Sequence, residues 1–259
     1  MLLAIDIGNT NTVFAVFRGD ALSNAWRLRS DAARSVDEYA AFLHEMFALN
    51  GLAFSAIADV IVSSVVPEAN FVITQFCQRY LRHDPVFVTK DMAGIAVDLD
   101  RPDEIGADRL VNAVAVKALY QTPAIVVDFG TATTFDVIDA NGAYAGGAIA
   151  PGINLSIHAL HQAASKLPKI SIAKPQSAIG KNTVQAMQSG VFWGYVGLVD
   201  KLVETLAAEL GGDHEPLVIA TGGLAPLFAG HTDAIDTLDD DLTLKGLRII
   251  HDQQTQQTQ

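Results

Sequence analysis

Three carboxylates set near glycines carry the chemistry that can be read in this chain. Asp6 closes the apolar run Leu2-Leu3-Ala4-Ile5 and is followed by Ile7, Gly8 and the polar cluster Asn9, Thr10, Asn11 and Thr12. A glycine lets a ligand approach the backbone, and the N–H groups around it can face an anion. A carboxylate at the strand end can hold the cation that neutralises such an anion. Asp128, with Gly130 and Thr131 after it, ends a second apolar run. Asp108 stands in Gly106-Ala107-Asp108-Arg109, just before a helical pattern whose first N–H groups favour negative charge. Each feature also has a plain structural reading. The two turns can be ordinary tight hairpins, Asp108 can simply complement a helix dipole, and Arg109 can be solvated.

The elements that must hold these groups alternate in a regular way. The run Val13 to Phe17 follows the first turn and stops at Arg18-Gly19-Asp20, making a hairpin, and Trp26 to Arg29 suggests a third strand. Val36, Tyr39, Ala40, Leu43, Met46 and Phe47 are spaced for a helix over 35–49, with Ser35 and Glu38 forming a capping box and Asn50-Gly51 ending it. A strand over 60–66, a helix over 68–81 opened by Pro67, and a strand over 85–88 come next. A helix over 110–120 follows Arg109. This order predicts an α/β fold with a mixed sheet.

The stretch from Ala124 to Asp139 then repeats the opening. Asp128 falls under Asp6, Gly130 under Gly8 and Thr134 under Thr12, and Asn141-Gly142 supplies another hairpin turn. Two matching halves would face their turns across a cleft, with Asp6 and Asp128 on either side. The expected division is 1–120, 121–250 and a disordered polar tail over 251–259.

Beyond the repeat, Pro151 is expected to open a helix to about Ala164, on which His158 and His161 read as solvent-facing or core residues rather than metal ligands. Ser165 to Ser177 reads as a loop carrying Lys166, Lys169 and Lys174. Asn182 or Thr183 caps a long helix to Leu210 whose Phe192, Trp193 and Tyr195 suggest burial on more than one side, by the core or by a partner subunit. Leu217 to Thr221 forms a strand that runs into Gly222-Gly223, leaving room for a flat ring or a sugar. A short helix is expected over 239–247.

Composition narrows the classes. The chain has 259 residues, half of them hydrophobic, and a net charge of −12. That field disfavours nucleic acid and means that any phosphate site needs local donors. No apolar run approaches the roughly 20 residues of a membrane span, and the N-terminus lacks a basic leader, so a cytoplasmic location is expected. The single cysteine, Cys77, excludes an intrachain disulfide and reads as a small core residue.

Five segments in this order carry a resemblance: Asp6-Ile7-Gly8-Asn9-Thr10, Gly106-Ala107-Asp108-Arg109, Asp128-Phe129-Gly130-Thr131-Ala132, Thr221-Gly222-Gly223 and Asp241-Leu242-Thr243-Leu244-Lys245-Gly246-Leu247. Together they resemble the type III pantothenate kinases, of the acetate-and-sugar-kinase, heat-shock-70 and actin superfamily. The resemblance implies a duplicated ribonuclease-H-like (actin-like ATPase) fold, two mixed-sheet halves with helices and a nucleotide cleft between them, assembled as a homodimer. It implies transfer of phosphate from ATP to the primary hydroxyl of pantothenate, the first step of coenzyme A synthesis, with Mg2+ and a monovalent cation (K+ or NH4+).

By that resemblance, ATP is bound by Asp6, Ile7, Gly8, Asn9, Thr10, Asn11, Thr12, Val13 and Thr131. Asp6 serves magnesium and Asp128 the monovalent cation. Asp108 is the catalytic base, while Gly106, Ala107, Asp108, Arg109 and Thr183 contact pantothenate. Thr221, Gly222 and Gly223 lie near the adenosine. The loop before Gly106 lacks the tyrosine that some members use in the pantothenate pocket, and Leu99 is the apolar residue available there. A different kinase or a phosphohydrolase on the same scaffold, and a non-enzymatic regulator, are the competing readings.

Overall fold

The computed structural model describes residues 1–257 apart from Ser165 and Asp213. The chain divides into two units. The first comprises Met1–Ile95, Arg101–Leu119 and Leu242–Gln259, and the second Ala96–Asp100 and Tyr120–Asp241. This differs from the division read from the sequence, because the last helix returns to the first unit and a short segment before Arg101 belongs to the second.

In the first unit the sheet is built from β1 (Leu2–Ile7), β2 (Asn11–Arg18), β3 (Ala21–Arg29), β4 (Asp59–Ser64) and β5 (Val86–Phe87), in the order β3-β2-β1-β4-β5. β1 is buried nearly throughout, as a strand covered on both faces must be. It runs antiparallel to β2 and parallel to β4, and Asp6 comes to lie opposite Val13 on one side and Ser63 on the other. α1 (Val36–Leu49) starts at Ser35, where the capping box forms: Glu38 N–H reaches Ser35 Oγ while the Glu38 carboxylate accepts from the Ser35 N–H. α2 (Pro67–Phe76) carries Pro67 in its first turn and gives way to a π-helical turn over Cys77–Leu81, so the helix expected to Leu81 changes its winding. Cys77 is fully buried, and burial pushes its thiol up to about 12, which leaves it an inert core residue.

α3 (Ala107–Leu119) begins before the expected Leu110, because Leu110 N–H already bonds the Gly106 carbonyl. Asp108 therefore sits inside the first helical turn.

The second unit repeats the design with β6 (Ala124–Phe129), β7 (Ala132–Ile138), β8 (Tyr144–Pro151), β9 (Leu217–Thr221) and β10 (Thr237–Leu238), in the order β10-β9-β6-β7-β8. Even the irregularity recurs: pairing slips between Val16 and Phe17 in one half and between Val137 and Ile138 in the other. Pro151 ends β8 rather than opening a helix, a strand-end position that tolerates a missing N–H. Gly152 then precedes α4 (Ile153–Ala163). Residues 166–177 form neither helix nor strand, and Ser165 lies outside the described residues.

α5 (Thr183–Leu210) is capped by Asn182, whose side chain accepts from Gln185 N–H at 2.9 Å. Its Phe192 and Tyr195 are buried in the core of their own unit, so its apolar breadth is explained largely by core packing. α6 (Ala225–Phe228) follows β9, and Phe228 stacks on Phe129 at 5.4 Å.

α7 runs over Leu242–Gln257 and corrects the short helix and disordered tail read from the sequence. It packs on α3: Thr243 Oγ1 donates to Asn112 Oδ1 at 2.7 Å, and a Cβ on Gly246 would fall 2.3 Å from the Val111 carbonyl. Gln254 reaches the Met92 carbonyl at 3.2 Å, so the polar end is held by tertiary contacts. Thr258 and Gln259 lie outside the described residues. Among the described residues no helix is long and apolar enough to cross a membrane.

Candidate active site

The first turn is a three-residue connection, Gly8 to Thr10, between β1 and β2. Gly8 N–H bonds the Asn11 carbonyl at 3.0 Å, and a Cβ on Gly8 would lie 3.1 Å from that oxygen, so glycine keeps the turn tight. Ser30, just past β3, meets the turn twice. Its hydroxyl donates to the Gly8 carbonyl at 2.6 Å and its N–H to the Thr10 carbonyl at 2.9 Å. Asn9, Thr10 and Asn11 are exposed, whereas Thr12 is fully buried with its hydroxyl 3.0 Å from Ser30 Oγ. The sequence predicted the turn and missed Ser30, because nothing local marks a lone serine at a strand end as a partner of residues so far upstream.

Asp6 keeps some exposed surface but is densely surrounded. Desolvation, and then the negative charge of Asp108, raise its carboxyl from 3.8 to about 7, against smaller pulls from the Ser63 hydroxyl and Arg27. Ser63 Oγ is fully buried under this carboxylate, near enough to lower it, yet it completes no well-formed hydrogen bond among the described residues.

Asp108 is half-buried, and burial raises its carboxyl too. The Arg109 N–H, donating to Asp108 Oδ1 at 2.8 Å, and the Arg109 guanidinium pull it back. A Cβ on Gly106 would lie 2.6 Å from that same Oδ1, so the absence of a side chain leaves space for the carboxylate to fold over the helix start. The fold of the first unit thus brings together Asp6 and Asp108, distant in sequence and close enough to feel each other's charge.

In the second unit the turn has two residues, Gly130 and Thr131, both exposed. Asp128 lies opposite Thr134 on β7 and Thr221 on β9. Thr133, not Thr134, is the counterpart of Thr12: Thr12 pairs with Ile7 and Thr133 with Phe129. The shorter turn moves the register by one residue and corrects the alignment read from the sequence. Gly152 packs where Ser30 sits in the other unit, and a Cβ there would fall 2.0 Å from the Thr131 carbonyl oxygen.

Thr221 is buried beside Asp128, and Gly222 has φ +90°, with its Cα side turned onto Asp128. Gly223 is exposed and a Cβ there would meet nothing within 4 Å. Thr183 is the exposed first residue of α5. Leu99 touches the Gly146 side of β8, where Asp98 N–H bonds the Tyr144 carbonyl at 2.8 Å. His158 is exposed, and His161 Nδ1 lies 2.7 Å from the Leu167 carbonyl.

The chain is similar to solved structures from Campylobacter jejuni, described as a conserved Baf family transcriptional activator (TM-score 0.62, 20% identity, 98% of this chain and 99% of that one), and from Sinorhizobium meliloti, described as a 2-dehydro-3-deoxygalactonokinase (TM-score 0.59, 12% identity, 97% and 96%). At such identities these likenesses speak for the fold, that of the actin-like ATPases and sugar kinases. Sequence comparison is more specific. The chain is 54% identical over 253 residues to the type III pantothenate kinase of Paramagnetospirillum magneticum, covering 97% of this chain and 96% of that one. It is also 54% identical to that of Rhodospirillum rubrum, covering 97% and 98%. A family model described as type III pantothenate kinase matches residues 2–205, and the chain therefore belongs to the type III pantothenate kinase family.

Proposed function

We infer that this chain is a pantothenate kinase, transferring the γ-phosphoryl group of ATP to the primary hydroxyl of pantothenate. Family membership supports the activity. The observation that supports the assignment of roles is the pairing in one unit of an anion-suited turn with Asp108 at a helix start.

Phosphoryl transfer depends on positioning and charge neutralisation more than on covalent help from the protein. The turn from Asp6 to Val13 supplies backbone N–H groups and hydroxyls to the phosphates. Asp108 accepts the hydroxyl proton of pantothenate as the new O–P bond forms and the bond from the γ-phosphorus to the bridging oxygen of ADP breaks. Burial raises its carboxyl and makes it a better base than an exposed aspartate. Arg109 anchors the acceptor through a directional guanidinium, and Gly106, Ala107 and Thr183 are assigned to pantothenate. Thr131 is assigned to ATP phosphate, and Thr221, Gly222 and Gly223 to the vicinity of the adenosine, for which the exposed Gly223 leaves room.

A hard divalent cation fits the first turn. Burial, and then the charge of Asp108, make Asp6 hold its proton to about 7, and a bound cation would offset both by stabilising the anion. Asp6 is the residue we assign to Mg2+, which when bound neutralises phosphate charge. Asp128, an oxygen donor of the chemistry that K+ or NH4+ accepts, is assigned to the monovalent cation. A cytoplasmic homodimer completes the reading; sedimentation as a monomer at micromolar concentration would remove the dimer.

The decisive experiment is Asp108→Asn. Phosphopantothenate formation should fall by about 10²–10⁴-fold, the usual contribution of a positioned general base, with unchanged circular dichroism. A fully active Asp108→Asn, or phosphate release from ATP without any acceptor at the full rate, would overturn the reading.

A further inference from the structure

We propose that Ser30 is a positioning residue for ATP, holding the peptide planes of the first turn so that their N–H groups face the nucleotide. The proposal rests on reading that turn as the phosphate-binding element. Ser30 Oγ donates to the Gly8 carbonyl at 2.6 Å, and Ser30 N–H donates to the Thr10 carbonyl at 2.9 Å. Two carbonyls of a three-residue turn are thus drawn to one side. In a planar trans peptide the C=O and the next N–H point in opposite directions. Fixing the Gly8 carbonyl on Ser30 turns the Asn9 N–H the other way, and fixing the Thr10 carbonyl does the same for Asn11. The negative ends of both peptides are kept from a bound phosphate, and their positive ends are presented to it.

The hydroxyl network has a single direction. A serine hydroxyl has one proton. Ser30 gives it to Gly8, so Thr12, 3.0 Å away, must donate to Ser30. Thr12 spends its own proton on Ser30 and is then left only to accept. Thr12 is fully buried, so the relay Thr12 to Ser30 to Gly8 is anchored in β2 and ends on the turn. Hydrogen bonds aligned in this way strengthen one another. The second unit has no counterpart hydroxyl, since Gly152 occupies the equivalent place beside β8.

The test compares Ser30→Ala with Ser30→Thr and with Gly8→Val, a variant of the turn itself. Ser30→Ala should raise the KM for ATP about five- to tenfold, the scale of one lost hydrogen bond. The KM for pantothenate should stay near wild type, the melting temperature should fall only modestly for the lost hydrogen bonds, and Ser30→Thr, which keeps the hydroxyl, should restore most of the ATP affinity and of the stability. If Ser30→Ala does not fold, Ser30→Cys, a weak donor of similar size, carries the same comparison.

An unchanged KM for ATP in Ser30→Ala, or an equal loss in Ser30→Ala and Ser30→Thr with lowered melting temperature, would overturn the proposal. If Gly8→Val weakens ATP while Ser30→Ala does not, the turn binds phosphate and only the role of Ser30 falls. If neither variant affects ATP, the phosphate reading of the turn falls, and the role of Ser30 with it.

Discussion

In the first unit the turn after Asp6 spans three residues and leans on a serine hydroxyl; in the second the turn after Asp128 spans two and leans on the bare backbone of Gly152. The strands around both turns have the same order, the same pairing and the same slip in register. Each aspartate faces a buried hydroxyl on the parallel neighbour strand, Ser63 for Asp6 and Thr221 for Asp128. A common scaffold has therefore been given two different seats. The hydroxyl seat orients peptides at a distance, and the glycine seat lets a helix start touch the turn directly. A fold fixes where a turn lies, while its supporting residues decide which way its dipoles point.

The largest effect should come from exchanging the seats. Gly152→Ser puts a Cβ 2.0 Å from the Thr131 carbonyl oxygen, which backbone cannot evade cheaply. A loss of about 3 kcal/mol or more is expected, of the order of severe overpacking, read as a lowered urea midpoint. A stable Gly152→Ser would show that the second turn is looser than its partner.

Gly222→Ala should cost about 2–3 kcal/mol, since φ is +90° and the new Cβ would lie 2.4 Å from Asp128 Oδ1. We expect this variant also to lose activation by K+ while keeping its response to Mg2+. Equal loss of both responses would break the assignment of one cation to each aspartate.

The third prediction concerns pH. Native Asp6 keeps its proton up to about 7, whereas the unfolded chain releases it near 3.8. Between those values the native state binds more protons, so stability falls as pH rises through the window. The full shift corresponds to about 4 kcal/mol at about 1.4 kcal/mol per unit, and water at the partly exposed carboxyl reduces that to about 2. Asp6→Asn should remove this share. Urea midpoints of metal-free protein at pH 4.5 and pH 8 should then differ less than in wild type, and an unchanged slope would place the proton elsewhere.

The smallest effect separates the paired threonines. Thr12 has a hydroxyl partner in Ser30, so Thr12→Val should destabilise by about 1 kcal/mol. Thr133 Oγ1 is buried without a hydrogen-bond partner among the described residues. Thr133→Val should accordingly be neutral or slightly stabilising by thermal melts, and equal losses at both positions would show that the second hydroxyl is also bonded.

Much of this was legible along the chain because the signals are local. Apolar runs ended by Asp-x-Gly announced β1 and β6, and Ser35 with Glu38 announced the start of α1. Gly106 to Arg109 marked the start of α3, although the helix takes in Asp108 instead of beginning after it. Local signals failed where neighbours in space are remote in sequence. The Gln-rich end of α7 reads as solvent-loving, and only its contacts with α3 and the Met92 carbonyl make it helical to Gln257. The sequence left Phe192 and Tyr195 open between core and partner surface, and the core of the second unit encloses them.

The sequence alone determined the duplication, the three carboxylates and the order of elements, because apolar periodicity and turn chemistry act over a few residues. Tertiary structure alone decided that Thr133 matches Thr12, that Ser30 and Gly152 seat the two turns, and that Asp6 meets the charge of Asp108. Register, desolvation and the pairing of hydroxyls across strands depend on distances in space that no stretch of sequence encodes by itself.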